Sequence, residues 1–64
     1  MTLSKAQELI RVQADLGGGY NRNAVRLILA EVQREHGQQA VDQLIRHFAL
    51  DVVFGLHTGT VFTR

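Results

Sequence analysis

Apolar residues recur at helical spacing in three segments of the chain, and glycines separate these segments. The sequence contains no proline, so the glycines are the main interruptions along it. Side chains three and four residues apart lie on one face of a helix, so each segment predicts an amphipathic helix. We therefore predict an all-α fold, in which short helices over residues 4–16, 23–36 and 38–54 form an antiparallel bundle and residues 55–64 form an extended C-terminal tail.

The first predicted helix begins with a pattern typical of an N-terminal cap. Ser4 is followed three residues later by Gln7, the spacing of a capping box, in which each side chain bonds a free backbone N–H group. We expect Gly17 to end this helix, because glycine readily leaves the helical conformation. The side chains expected to face the core are Leu3, Ala6, Leu9, Ile10 and Leu16.

The second predicted helix has the most regular apolar stripe. Asn21 or Asn23 can cap its start, because a short side-chain oxygen can accept a hydrogen bond from a free backbone N–H group there. Gly37 can end it in a left-handed conformation, which glycine adopts without a steric penalty. Its core-facing stripe consists of Val25, Ile28, Leu29 and Val32.

The third predicted helix ends at Gly55 and carries more apolar residues than one stripe requires. Its primary stripe consists of Val41, Leu44, Ile45, Phe48 and Val52. On a continuous helix that advances about 100° per residue, Leu50, Val53 and Phe54 fall on the side that polar residues occupy one or two turns earlier. The second half of this helix is therefore predicted to be apolar nearly all round, and such a helix has to be covered on every side.

Two kinds of cover are open for this surplus of apolar surface. The tail, which contains a Thr-Gly turn signal, can fold back and bring Val61 and Phe62 onto the second face. A second copy of the chain can also supply the cover, most simply in a twofold homodimer, and we favour this alternative. The residues expected to anchor the interface with a partner are Leu50, Val53 and Phe54, together with Leu27, which lies off the stripe of the second helix.

The segment LGGGYNRNA joins the first two predicted helices and raises the question of a phosphate site. A glycine-rich loop before a helix N-terminus can bind an anion or a nucleic acid through free backbone N–H groups. The segment lacks the Gly-Lys-Ser/Thr ending of a P-loop and does not follow a predicted strand, so we interpret it as a hinge with a helix cap. In the alternative, an anion or nucleic acid is contacted by Gly18, Gly19, Asn21, Arg22 and Arg26.

The composition argues against a catalytic or metal-binding chain. A chain of 64 residues forms one small domain, which offers little room for a cleft. It has no cysteine, which excludes disulfides, thiolate zinc sites and a cysteine nucleophile. Its histidines are ten or eleven residues apart, unlike two metal ligands at i and i+4 on one helix face. We predict no catalytic residues, no cofactor and no metal site.

Charge and hydropathy limit the classes of partner. The net charge of +1 lacks the strongly basic character typical of non-specific nucleic-acid binding. The longest nearly apolar run, residues 48–56, is far shorter than the roughly 20 residues that span a bilayer, and we see no signal peptide. We expect a cytoplasmic protein without a membrane segment. By elimination, we expect a non-catalytic adaptor, regulator or accessory subunit that binds a second copy of itself or another protein, with a nucleic-acid-binding regulator or a phosphate-ligand binder as the alternative.

Overall fold

The computed structural model describes residues 1–16 and 20–63, and the regular structure of these residues is helical. Its helices are α1 (Leu3–Leu16), α2 (Tyr20–His36), α3 (Gln38–Phe48) and α4 (Leu50–Val53). The prediction of an all-α fold is therefore confirmed for the described residues. The prediction of a single third helix is wrong, because that segment is divided into α3 and α4.

The cap of α1 is Thr2 rather than the predicted Ser4. The helix already includes Leu3, and the Lys5 backbone N–H donates to Thr2 Oγ1 at 3.1 Å. The Ala6 N–H donates to the Thr2 carbonyl at 3.0 Å, so the helical hydrogen bonds begin at this residue. A threonine hydroxyl, like that of serine, can satisfy a free donor of the first turn, so Thr2 can cap the helix in place of Ser4.

The predicted caps of α2 are also wrong, since Asn21 and Asn23 lie inside the first turn of a helix that begins at Tyr20. Asn21 Nδ2 donates instead to the Gln13 carbonyl at 3.3 Å. Gln13 belongs to the last turn of α1. The contact therefore holds this turn beside the start of α2.

Two of the predicted terminators are confirmed, and the third, Gly17, lies outside the described residues. Gly37 (φ +91°) alone separates α2 from α3, and its N–H donates to the Gln33 carbonyl at 3.0 Å. Gly55 (φ +70°) follows α4, and its N–H donates to the Asp51 carbonyl at 3.1 Å. This hydrogen bond, with a left-handed residue just beyond the helix, is a common way for a helix to end.

Ala49 divides the predicted third helix. It adopts a left-handed conformation with φ +52° and ψ +45°, although it carries a Cβ. Its N–H donates to the Arg46 carbonyl at 3.3 Å, and its own carbonyl accepts from the Val53 N–H at 3.0 Å. A right-handed helix cannot continue through a left-handed residue. α3 therefore ends at Phe48, and α4 begins with a new helical phase.

The core lies where α1, α2 and α3 pack pairwise, with α4 against α3. Three side chains predicted to face the core are outside it: Leu16 is 71% exposed, Val52 is 82% exposed, and Leu9 is only partly buried. The buried apolar side chains are Ala6, Ile10, Val25, Leu29, Val32, Val41, Leu44, Ile45, Leu50, Phe54 and Leu56.

The tail folds back on the helices and is held by side chains of α3. The Asp42 carboxylate accepts hydrogen bonds from the Gly59 N–H at 2.8 Å and from Gln38 Nε2 at 3.0 Å. Gln38 Nε2 also donates to the Thr60 carbonyl at 2.9 Å. The Gly59 backbone N–H, with help from Gln38, holds the pKa of Asp42 below its ordinary value, because both donors favour the ionised carboxylate.

A second contact holds the tail against α2. The Phe62 backbone N–H donates to Gln33 Oε1 at 2.6 Å, and the Phe62 ring packs half-buried against the core. Val61, which was predicted to cover the helices with Phe62, is 52% exposed. Leu56, at the start of the tail, is buried.

Among the described residues, none of the helices has both the length and the apolar content required to cross a membrane.

Candidate interaction surfaces

Two of the predicted interface anchors lie inside the protomer. Leu50 is fully buried and Phe54 is nearly so, and both belong to the core of the single chain. The prediction that they form an exposed surface is therefore wrong. That prediction assumed one continuous third helix, whereas the left-handed Ala49 gives the following residues a different rotational phase. The apolar surplus that favoured a homodimer is largely covered within one copy of the chain.

Val53, the third predicted anchor on this segment, remains exposed beside Val52. Both belong to α4, which is only four residues long. The exposed apolar surface of α4 is therefore limited to two β-branched side chains on one helical turn.

Leu27, the predicted off-stripe residue of α2, is 73% exposed. It lies two residues after Val25 and two before Leu29, both of which are fully buried. Two residues correspond to about 200° around a helix, so Leu27 lies on the side of α2 opposite the core. The prediction that Leu27 is off the buried stripe is confirmed, and its role in an interface stays a prediction.

α1 has exposed apolar side chains on the side that faces away from its own buried stripe. Val12 is 54% exposed and lies two residues after the fully buried Ile10. Leu16, 71% exposed, follows one turn later. Val12 was not predicted as an interface residue, although its position relative to Ile10 is the same as that of Leu27 relative to Val25.

These side chains lie on two helices that pack side by side. The contact between Asn21 and Gln13 joins the end of α1 to the start of α2, and the Met1 amine contacts Glu35 near the end of α2. We call the outward-facing side chains of this helix pair the outer face. It consists of Val12, Leu16 and Leu27.

A groove borders the outer face on the other side of Leu27, between α2 and the tail. Its volume is about 340 Å³. The half-buried Ala30 and Phe62 give it an apolar surface, while Asn23 and Arg26 supply polar groups. The groove is lined by Asn23, Arg26, Leu27, Ala30 and Phe62.

Two arginines lie on this flank of α2 without partners. Arg22 and Arg26 are exposed, are one helical turn apart, and form no hydrogen bond or ion pair with residues 1–16 or 20–63. They are the part of the predicted anion or nucleic-acid contact that the structure describes as free. Asn21 is engaged with α1, and Gly18 and Gly19 lie outside the described residues.

The acidic residues of α2 are occupied elsewhere. Glu31 lies 3.9 Å from Arg34, and Glu35 accepts from the N-terminal amine of Met1 at 2.8 Å. This hydrogen bond raises the pKa of the amine and lowers the pKa of Glu35, because it favours both charged forms. Neither carboxylate forms an ion pair with Arg22 or Arg26.

The histidines lie apart in the described structure. His36 Nε2 is 2.9 Å from the Met1 carbonyl oxygen, and the His47 ring packs edge-on against Phe48 with ring centroids 4.6 Å apart. His57 lies beside a polar depression that also contains Arg46 and Asp51. Within residues 1–16 and 20–63, no group of histidine and carboxylate side chains could hold a metal ion.

Comparisons with protein-family models, with curated protein sequences and with solved structures found no match to this chain. The surfaces available for a functional inference are therefore those of the chain itself. Among them, the outer face and the adjoining groove contain the largest exposed aliphatic side chains of the two long helices and two free arginines.

Proposed function

We propose that the protein is a small non-catalytic interaction module that binds another protein through the outer face. The observation that carries the proposal is the exposure of Val12, Leu16 and Leu27 on two packed helices, each away from the fully buried residues of its own helix. Single apolar residues on a surface are ordinary, whereas contiguous apolar patches mark sites of association, and Val12 and Leu16 lie one helical turn apart. The two long helices bury other large aliphatic side chains, such as Ile10 and Leu29, so these three are exposed in spite of a well-formed core.

The energy available from this face suits a partner protein. Complete burial of a leucine or valine side chain contributes roughly 1.5–3 kcal/mol, and these side chains are already partly covered, so each would add less. Association also costs free energy for lost translation and rotation. The outer face alone therefore supports modest affinity, and polar contacts at its edge are needed for specificity.

A homodimer is one form of this proposal. Twofold pairing is the commonest arrangement of identical chains, and it would bring two copies of Leu27 together. Val53 would form a separate, smaller contact.

The bundle in this proposal is antiparallel, which is supported by the contacts that join Asn21 to Gln13 and Met1 to Glu35.

Site-specific photo-crosslinking in cells tests the proposal. A photoreactive amino acid at Leu27 should form an adduct of defined mass with another protein, and an adduct of twice the chain mass would identify the homodimer. The matched control is the same residue at Gln39, which is exposed on α3. The proposal fails if position 27 forms no more adduct than position 39.

Sedimentation of the purified chain provides a second test. Leu27→Asp should weaken any self-association, because it places a charge on the outer face, whereas Gln39→Asp should not. Both positions are exposed, so both variants should keep the wild-type circular dichroism spectrum. Phe54→Asp is unsuitable for this purpose, since it would place a charge in the core.

A further inference from the structure

We propose that the groove between α2 and the tail binds an acidic, apolar segment of the partner protein. This inference rests on the proposed function, because the groove adjoins the outer face at Leu27. It adds the chemistry of the partner, whose carboxylates would pair with Arg22 and Arg26 and whose apolar side chains would occupy the groove.

The shape of the groove suits one or two apolar side chains. Leu27 and the small Ala30 line it from α2, and Phe62 lines it from the tail. A volume of about 340 Å³ lies at the lower end of the range of ligand sites. A helix or extended peptide that presents apolar side chains at regular spacing can use such a groove.

The charge beside the groove specifies an acidic partner. Arg22 and Arg26 are four residues apart, so two carboxylates one helical turn apart on a partner could pair with both. Arginine binds carboxylates through paired N–H donors, which makes such contacts directional. Because Glu31 and Glu35 are paired elsewhere, no carboxylate of α2 competes for these guanidinium groups.

The apolar lining favours a protein segment over a nucleic acid. Nucleic-acid affinity comes largely from many phosphate contacts, and this flank offers two unpaired arginines in a chain whose net charge is +1. Ala30, Phe62 and Leu27 would remain uncovered by a phosphate backbone. An amphipathic acidic peptide would satisfy both the cations and the apolar surface.

The groove is formed before any partner binds. The Phe62 N–H is held by Gln33 Oε1 at 2.6 Å, and the Thr60 carbonyl is held by Gln38 Nε2 at 2.9 Å. These hydrogen bonds fix the tail wall of the groove relative to α2 and α3. A preformed site loses less conformational entropy on binding, which favours recognition of a short segment.

The test uses a fluorescein-labelled synthetic peptide of about 15 residues, built from leucine and glutamate at helical spacing. A matched peptide carries lysine in place of glutamate, and a labelled single-stranded DNA and a labelled duplex serve as nucleic-acid probes. Anisotropy titrations should show that the full chain binds the acidic peptide, that the lysine peptide binds at least tenfold more weakly, and that added salt weakens binding.

Two double variants identify the contact. Arg22→Gln with Arg26→Gln should weaken binding of the acidic peptide about tenfold. Arg11→Gln with Arg46→Gln removes the same number of charges from exposed positions outside the groove and should change binding less than twofold. Backbone NMR shifts caused by the peptide should centre on residues 23–30 and 60–63.

The inference is overturned if the acidic peptide does not bind, if both double variants weaken it equally, or if either DNA probe binds more tightly. Failure of the proposed function would be seen separately, as the absence of crosslinks at position 27. Crosslinks at position 27 that persist in the Arg22→Gln, Arg26→Gln variant would leave the outer face as the protein-binding site and reject the groove.

Discussion

α3 and the segment after Ala49 differ in how their apolar patterns relate to burial. In α3, the residues at helical spacing, such as Val41 and Ile45, are the buried ones. Beyond Ala49, Val52 continues the same spacing and is 82% exposed, whereas Leu50 and Phe54 lie off it and are buried. A helical pattern therefore predicts burial only as far as the backbone remains helical, and one left-handed residue is enough to exchange the inner and outer sides.

Burial of the apolar residues after Ala49 explains this exchange energetically. A left-handed conformation costs a residue with a Cβ about 1–2 kcal/mol. Full burial of Leu50, Phe54 and Leu56 contributes roughly 1.5–3 kcal/mol for each side chain. The gain exceeds the cost, so the chain breaks its helix at Ala49 and covers its apolar surplus itself.

The largest expected effect comes from truncating one buried side chain in each region. Leu50→Ala and Ile45→Ala should each lower the free energy of unfolding by about 2–5 kcal/mol, because both residues are buried in the core. Val52→Ala should change it by less than about 0.5 kcal/mol. Urea unfolding followed by circular dichroism measures all three variants.

A chain of this size has a total stability of only about 3–5 kcal/mol, so Leu50→Val serves as the milder variant if Leu50→Ala does not fold. A greater loss of stability for Val52→Ala than for the Leu50 variants would mean that the helix continues through Ala49. The difference between the two regions would then not exist.

The next effect concerns Gly55, the left-handed residue that follows α4. A Cβ at this position would meet no atom within 4 Å, so Gly55→Ala should cost backbone energy and create no steric clash. The left-handed penalty of about 1–2 kcal/mol, reduced by the lower unfolded-state entropy of alanine, predicts a net loss of about 1 kcal/mol. Thermal unfolding measures this loss, and an unchanged melting temperature would contradict the assigned conformation.

Ala49→Gly is the converse change at the boundary of the two regions. Ala49 is exposed and left-handed, so glycine removes the conformational penalty without removing a buried contact. We expect a gain of up to about 1 kcal/mol in the free energy of unfolding. The matched control is Ala49→Val, which should destabilise the protein because a β-branched residue tolerates this conformation less well. A loss of stability for the glycine variant would indicate that Ala49 is helical in solution.

The sequence pattern identifies α2 and α3 because their apolar residues repeat at one unbroken helical phase. Gly37 and Gly55 are predictable terminators because glycine readily adopts the left-handed conformation, whereas Ala49 gives no comparable signal. Its conformation depends on tertiary burial of the residues after it, which local propensity does not include.

The groove depends on tertiary contact in the same way. Its tail wall is placed by the hydrogen bond between Phe62 and Gln33, residues that are 29 positions apart. Leu27, by contrast, could be identified from sequence because it lies within one regular helix.

The smallest expected effect concerns Asp42, the carboxylate of α3 that holds Gly59 in the tail. Because the pKa of Asp42 is lowered in the folded protein, this group stabilises the fold fully above its unfolded pKa of about 3.9. The stabilisation is lost as the pH falls through the lowered pKa. Asp42→Asn should therefore be less stable than the wild type at neutral pH, and the two should converge in strong acid. Asp51→Asn, which replaces an exposed carboxylate of α4, is the control.

Amide hydrogen exchange in the Asp42→Asn variant tests whether this carboxylate stabilises the residues after Ala49 more than it stabilises α3. If the tail helps to hold Leu50 and Phe54 in the core, amide exchange in residues 50–56 should rise more than exchange in α3 at neutral pH. Equal increases in both regions would mean that Asp42 supports the whole fold. No increase in either would mean that burial alone maintains the new helical phase after Ala49, independently of the contact with Gly59.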